Sequence, residues 1–158
     1  MSVREFEFYV HDLLDHPDVL RLRQTTAHWR RDRFEHCYAV GKLSYRLAKF
    51  FHATVAVAAR GGMLHDWYHG HQPGRKRFVN ADQHHFRISH EAAANYGEHP
   101  TVLHAIRTHF WPWGRTMPRT REAWIVWMAD NIIWLDDIWQ SMKVVSRENF
   151  NYMIYGTA

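Results

Sequence analysis

Trp124-Ile125-Val126-Trp127-Met128-Ala129-Asp130-Asn131-Ile132-Ile133-Trp134-Leu135 decides the class of this chain. Together with Ile138, the apolar residues of this run cover nearly the whole circumference of a helix. Its bounds read as near Thr120 and about Val145. A helix apolar all round is a central, buried one, so Trp124, Trp127 and Trp134 are expected in the core. Asp130 stands in the middle of it. An isolated carboxylate there is costly unless an ion pair, an N–H donor or a metal meets it.

Working outward, the remaining segments also read as helices. Phe6, Val10, Leu13 and Leu14 have helical spacing, and His16-Pro17-Asp18 breaks that helix before a second short one over about Val19 to His28. Asp32-Arg33-Phe34-Glu35 is a capping box. The helix it opens carries Phe34, Cys37, Val40, Leu43, Leu47, Phe50 and Phe51 on a face expected to be buried. Thr54 is placed to cap the next helix, with Val55, Ala58, Ala59, Gly62 and Met63 inside; Gly61-Gly62 suggests close backbone packing. His69 to Gln83 reads as a long loop. Ser89 is expected to cap a short helix to about Tyr96, and Pro100 to open another that runs to about Phe110, before Trp111-Pro112-Trp113-Gly114. Nothing suggests a paired sheet. The class is all-α, in one domain over residues 1–158.

Composition narrows the function. Fourteen histidines spread along 158 residues raise the prior for a metal site. Cys37 is the single cysteine, which excludes an intrachain disulfide framework and a Cys-rich zinc module. No apolar run is long enough to span a bilayer, and the Met1–Glu5 start does not read as a signal peptide, so a cytoplasmic protein with no membrane partner is expected. The formal charge is +4, with basic clusters from Arg21 to Arg33 and at Arg75-Lys76-Arg77. That is too weak for nucleic acid; it suits a small anionic ligand such as a phosphate ester, or simply a solvated surface.

His65-Asp66 places an imidazole beside a carboxylate after a small-residue helix. Neighbours on a helix point about 100° apart, so both reach one ion only near a helix end or with help from another segment. The dipeptide alone is common; His11-Asp12 is a second one. His36 and Asp130 extend it to four candidate ligands, a set that suits iron, manganese, zinc, nickel or cobalt.

The order His36, then His65-Asp66 after Gly61-Gly62-Met63-Leu64, then Asp130 after Met128-Ala129, resembles the HD-domain superfamily of metal-dependent phosphohydrolases. Arg33-Phe34-Glu35-His36 and Ile125 to Asp130 resemble its flanks, over about Arg33 to Leu135. His90 and His109, between the pair and the last Asp, make the order similar to the binuclear subgroup. The resemblance implies an all-α HD-domain bundle around a buried metal site. It implies one ion on His36, His65, Asp66 and Asp130 and a second on Asp66, His90 and His109, so one or two divalent transition metal ions in all. His84 or His85 is an alternative to His90, and His104 to His109. The stretch from His85 to Trp111-Pro112 resembles a clade of small bacterial HD proteins. The ligand order is also similar to that of the symmetrical diadenosine tetraphosphatases, from which this chain departs at Phe110-Trp111-Pro112-Trp113.

The resemblance implies a phosphohydrolase of a phosphate ester or phosphoanhydride, nucleotide-like, working through metal-activated water. Asp66 and His65 are its catalytic candidates, with His85 as a proton carrier. Arg75, Lys76, Arg77 and Arg107 are candidates for neutralising substrate phosphate. Trp67, Tyr68, Trp111 and Trp113 either wall a pocket or pack around the site. Two other classes share the ligand order: a di-iron oxygenase, and a non-catalytic metal- or nucleotide-binding module. Aromatics near Phe6, Phe8 and Tyr9, read as exposed, suggest a homodimer.

Overall fold

The computed structural model describes residues 3–28, 31–67 and 81–155, and within them the side chains of 5–25, 31–67 and 86–143. Seven α-helices make up the described fold: α1 Val3–Leu14, α2 Pro17–Leu20, α3 Arg33–Phe50, α4 Val55–Leu64, α5 Ala81–Asn95, α6 Pro100–Thr108 and α7 Arg121–Tyr155. No helix among the described residues is long and apolar enough to cross a membrane.

The central helix is α4. Ala58, Ala59, Gly61, Gly62, Met63 and Leu64 are all buried, and α1, α3, α6 and α7 pack around them. Small side chains let four helices approach one another at once. A Cβ on Gly62 would lie 2.8 Å from the Gly41 Cα of α3, and one on Gly61 would lie 3.2 Å from Ala105 of α6 and Val126 of α7. The glycine pair thus sets the backbone approach that brings the ends of α4 and α6 close to α3 and α7.

The capping box forms as expected. The Glu35 N–H donates to the Asp32 carboxylate at 2.8 Å, and the Asp32 N–H donates to Glu35 Oε2 at 3.2 Å. Phe34, Cys37, Val40, Tyr45 and Ala48 of α3 join the core, with Phe6, Val10 and Leu13 of α1 against them. Arg60, inside α4, fastens three segments. Its guanidinium donates to Asp12 at 2.7 and 2.9 Å, to the Tyr9 carbonyl at 3.1 Å, and to Glu98, which also receives its Nε at 2.9 Å.

Several expectations need correction. α7 is not buried all round: Ala123, Ile125, Val126, Ala129, Asp137 and Ser141 are covered, whereas Ile132, Trp134, Leu135, Trp139 and Met142 are exposed, so within residues 121–143 the helix is buried on one face. Phe50 and Phe51, at the end of α3, are exposed too and pack edge-to-face on each other. The Val19–His28 segment is not a helix. One turn of α2 leads into a 3-10 turn at Arg21–Gln24, and Thr26–His28 (β1) then pairs antiparallel with Arg31–Asp32 (β2). The class stays all-α around this two-stranded ribbon. Ser89 caps nothing: α5 starts at Ala81, and Ser89 is buried in its interior. The buried stripe of α5, Phe86, Ser89 and Ala93, is narrow and interrupted by a polar residue, so its period is faint in the sequence. Phe6 is core; of the aromatics expected at a dimer surface only Phe8 is fully exposed.

Candidate metal centre

Five side chains from four helices meet beside α4. His36 lies in the first turn of α3, next to its capping box. His65 is the residue that closes α4, and Asp66 follows in the turn. His109 closes α6 in the same way. Asp130 comes from α7, one residue after the buried Ala129. At the end of α4 the neighbouring helices bring His36, His109 and Asp130 up to the pair, so His65 and Asp66 need not reach one point unaided.

Local hydrogen bonds aim the rings. His65 Nδ1 donates to the Gly62 carbonyl at 2.8 Å and His109 Nδ1 to the Ile106 carbonyl at 2.7 Å, each three residues back. A carbonyl only accepts, so both Nδ1 atoms carry the proton and both Nε2 atoms face the centre. There His65 Nε2 lies 3.4 Å from Asp130 Oδ1 and 3.8 Å from Asp66 Oδ2, and His109 Nε2 lies 3.7 Å from Asp66 Oδ1. His36 Nε2 lies 3.1 Å from Asp130 Oδ1. Two overlapping triplets result, His36, His65 and Asp66, and His65, His109 and Asp130, with one donor atom per residue and all atoms of a triplet within 4.8 Å. Imidazole nitrogens and carboxylate oxygens that converge in a buried place need a proton or a cation among them. The donor set therefore fits a borderline divalent metal.

The electrostatics agree. Burial works against a charged His36, but Asp130 and Asp137 outweigh it and its pKa rises to about 9. Burial likewise opposes charge on Asp130, yet His65 and His36 hold its carboxyl far below the usual range. A metal takes over the place such protons hold. Asp130 keeps 21% of its side chain exposed and forms the solvent edge of an otherwise buried cluster.

Two residues at the centre went unnoticed as site residues in the sequence. Arg33 is buried and donates to Asp66 Oδ2; it sits three residues before His36, on the same face of α3. Asp137 is buried with Oδ2 3.8 Å from His36 Nδ1, while Arg31 holds its other oxygen at 2.9 Å. Seven residues after Asp130, it shares that residue's face of α7, and that spacing was the available signal.

The other candidates lie elsewhere. His90 is half-buried on α5, outside both triplets, where burial and Arg107 push its pKa down. His104 accepts the Arg119 N–H at 3.0 Å and is also outside them. Arg107 is exposed on α6. Trp111 is half-buried against Trp124 and Trp127, and its carbonyl accepts the Trp127 indole N–H at 2.8 Å. Trp67 is a core residue packed on His16 and Tyr96, not a pocket wall, and Trp113 is exposed. Tyr68, Arg75, Lys76, Arg77 and the side chains of His84 and His85 lie outside the described residues. The Arg21–Arg33 basic run is engaged by carboxylates: Arg21 by Asp18, Arg23 by Asp32, Arg31 by Asp136 and Asp137, and Arg33 by Asp66.

The family model described as HD domain matches residues 33–135, and the chain belongs to that family. Among individual relatives, it is 33% identical over 131 residues to ribonuclease Y of Desulforudis audaxviator, covering 80% of this chain and 23% of that protein. It is 31% identical over 131 residues to ribonuclease Y of Symbiobacterium thermophilum, with the same coverage. The chain thus spans about a quarter of the length of the curated relatives it matches. The crystal structure of the L. monocytogenes phosphodiesterase PgpH HD domain superposes with a TM-score of 0.57 at 12% identity, over 90% of this chain and 86% of that one. That likeness is one of fold.

Proposed function

We propose that this chain is a metal-dependent phosphohydrolase that opens a phosphate ester or phosphoanhydride in a nucleotide-like substrate. The observation that carries the reading is the pair of Nδ1–carbonyl hydrogen bonds that turn His65 and His109 toward Asp66 and Asp130. The names of the relatives, a ribonuclease and a phosphodiesterase, support a phosphodiester as the bond class.

His36, His65, Asp66 and Asp130 would hold the ion, with His109 beside them. A bound divalent metal supplies an acidified water at neutral pH and neutralises charge on the phosphoryl oxygens. Arg33 orients the Asp66 carboxylate and adds a positive charge at the centre. Asp137 orients His36 from behind through Nδ1. Asp130, at the solvent edge, is where a phosphate group approaches. One ion has the more direct support. A bridging role for Asp66 needs the oxygen that Arg33 now holds, and a second ion needs His90, which is a member of neither triplet.

The test is elemental analysis of untagged protein purified without chelator, beside Asp66→Ala. A panel of phosphodiester and nucleotide substrates is then run with and without dioxygen. About one metal per chain, lost in the variant, with phosphate-ester hydrolysis that needs no oxygen, supports the reading. Two metals per chain would restore His90 as a ligand. Oxygen consumption would move the chain to the oxygenases. A fully metallated protein without turnover on the panel would make it a binding module.

A further inference from the structure

The three imidazoles of the centre are aimed by different means. His65 and His109 close their helices, where the last carbonyls have no N–H four residues on to accept. Each ring takes one of these carbonyls, Gly62 for His65 and Ile106 for His109. His36 stands in the first turn of α3 instead. The carbonyls just behind it, of Asp32 and Arg33, accept the N–H groups of the helix itself. The helix therefore offers its Nδ1 no spare carbonyl of the kind that holds the other two rings. What faces Nδ1 comes from α7: Asp137 Oδ2, at 3.8 Å, about half an ångström beyond a hydrogen bond. Asp137 is buried, and that oxygen has no hydrogen-bond partner among the described residues. A buried carboxylate oxygen without a donor is costly, and the His36 Nδ1–H is placed to supply one.

Given the metal-binding reading above, we propose that Arg31 is a positioning residue of the centre: it holds Asp137 so that Asp137 holds His36 with Nε2 toward Asp130. The guanidinium Nη1 lies 2.9 Å from Asp137 Oδ1, the oxygen turned away from the ring. Nη2 lies 3.4 Å from Asp136 Oδ2. One fork thus spans two neighbouring carboxylates of α7, and of the two only Asp137 is buried against His36; Asp136 keeps 43% of its side chain exposed. Arg31 is itself fixed from the other side. It pairs with His28 across the β-ribbon, and two residues on the Arg33 N–H donates to the Thr25 carbonyl at 2.8 Å. The tripeptide Arg31-Asp32-Arg33 therefore divides three tasks. Asp32 caps α3 and sets where His36 begins, Arg33 holds Asp66, and Arg31 sets His36 through Asp137. Without Arg31, Asp137 is a buried carboxylate with no cation at its Oδ1; it turns toward water and leaves the ring.

Zinc affinity of the full chain, measured by competition with a chromogenic chelator, is the first test. Arg31→Ala should weaken it about tenfold, and Arg31→Lys, which keeps the charge but not the fork, about threefold. Asp136→Asn removes the exposed partner alone and should leave it within about twofold. In an Asp137→Asn background, Arg31→Ala should add less than about twofold, since both act through His36 Nδ1. The second test reads the imidazole N–H signals in proton–nitrogen NMR of the zinc-loaded protein. Arg31→Ala should speed exchange of the His36 Nδ1–H with water at least about tenfold and leave those of His65 and His109 as they were, because their acceptors belong to their own helices. Arg31→Lys should show the same pattern at smaller size, so the contrast does not depend on the alanine variant folding. Unchanged affinity, losses that add in full to that of Asp137→Asn, an equal loss in Asp136→Asn, or three ring signals loosened together would each overturn the proposal and make Arg31 a structural tie between the ribbon and α7. A parent chain that takes up no zinc would overturn it together with the metal-centre reading beneath it.

Discussion

Arg60, near the middle of α4, meets Asp12, Glu98 and the Tyr9 carbonyl; five residues along the same chain, His65 meets Asp66 and Asp130. Both clusters gather ionisable groups beside one helix, but they are completed differently. Around Arg60 every contact pairs a donor with an acceptor, and the charges of opposite sign touch. Around His65 imidazole nitrogens and carboxylate oxygens converge, with Arg33 on Asp66 and a charged His36 on Asp130 beside them. The first cluster is finished by the fold and serves stability. The second is a set of groups that could hold a metal ion.

The sharpest way to break the comparison is Asp130→Asn. Hydrolysis should fall about a thousandfold, some 4 kcal/mol of transition-state stabilisation, and bound metal should drop while the circular dichroism spectrum is retained. Arg60→Ala should do the reverse. Two carboxylates left in a half-buried place without their cation cost about 3 kcal/mol of unfolding free energy in denaturant titrations, and added metal should not alter that loss. A metal-dependent loss at Arg60 would erase the distinction. Asp137→Asn sharpens it from the other side: metal affinity by calorimetry should weaken about ten- to a hundredfold, since His36 loses the carboxylate behind its ring.

The smallest effect is the most specific to the finished cluster. Hydrogen bonds from Arg60 lower the Asp12 carboxyl from the ordinary 3.8 to about 2, against its partial burial. A depressed carboxyl stabilises the fold above its unfolded pKa and ceases to as the pH falls through its folded one. Asp12→Asn should therefore cost about 1 kcal/mol at neutral pH, the side chain being a third exposed, and the gap to the parent should close between about pH 4 and pH 2. A gap that stays constant across that range would show that the Asp12 contribution is not ionic.

The capping box at Asp32 and Glu35, the proline start of α6 and the close approach at Gly61-Gly62 were legible because each depends on a few neighbouring residues. His36, His65, Asp66, His109 and Asp130 were legible as a set from their order. The start of α5 was not, since its buried stripe is narrow and carries Ser89. Nor was the exposure of Ile132, Trp134, Leu135, Trp139 and Met142 on α7, because periodicity reports which residues share a face and not whether another helix covers it. Arg33 and Asp137 were missed for a related reason. An arginine at a helix start and an aspartate in an Asp-Asp pair read as surface residues until the partners that bury them, Asp66 and His36, are in place.

By itself, then, the sequence determined the helical class and the Asp32–Glu35 capping box, which depend on local spacing, and it offered the candidate ligands through an order that resembles the HD-domain superfamily. Only the tertiary structure decided that α4 is the central helix, that His65 and His109 present Nε2 to the centre, that His36, His65, Asp66, His109 and Asp130 fall into two triplets, and that α7 is covered on one face and open on another. Those outcomes depend on which helices lie side by side and where each one ends, and no residue carries that information until its neighbours in space have arrived.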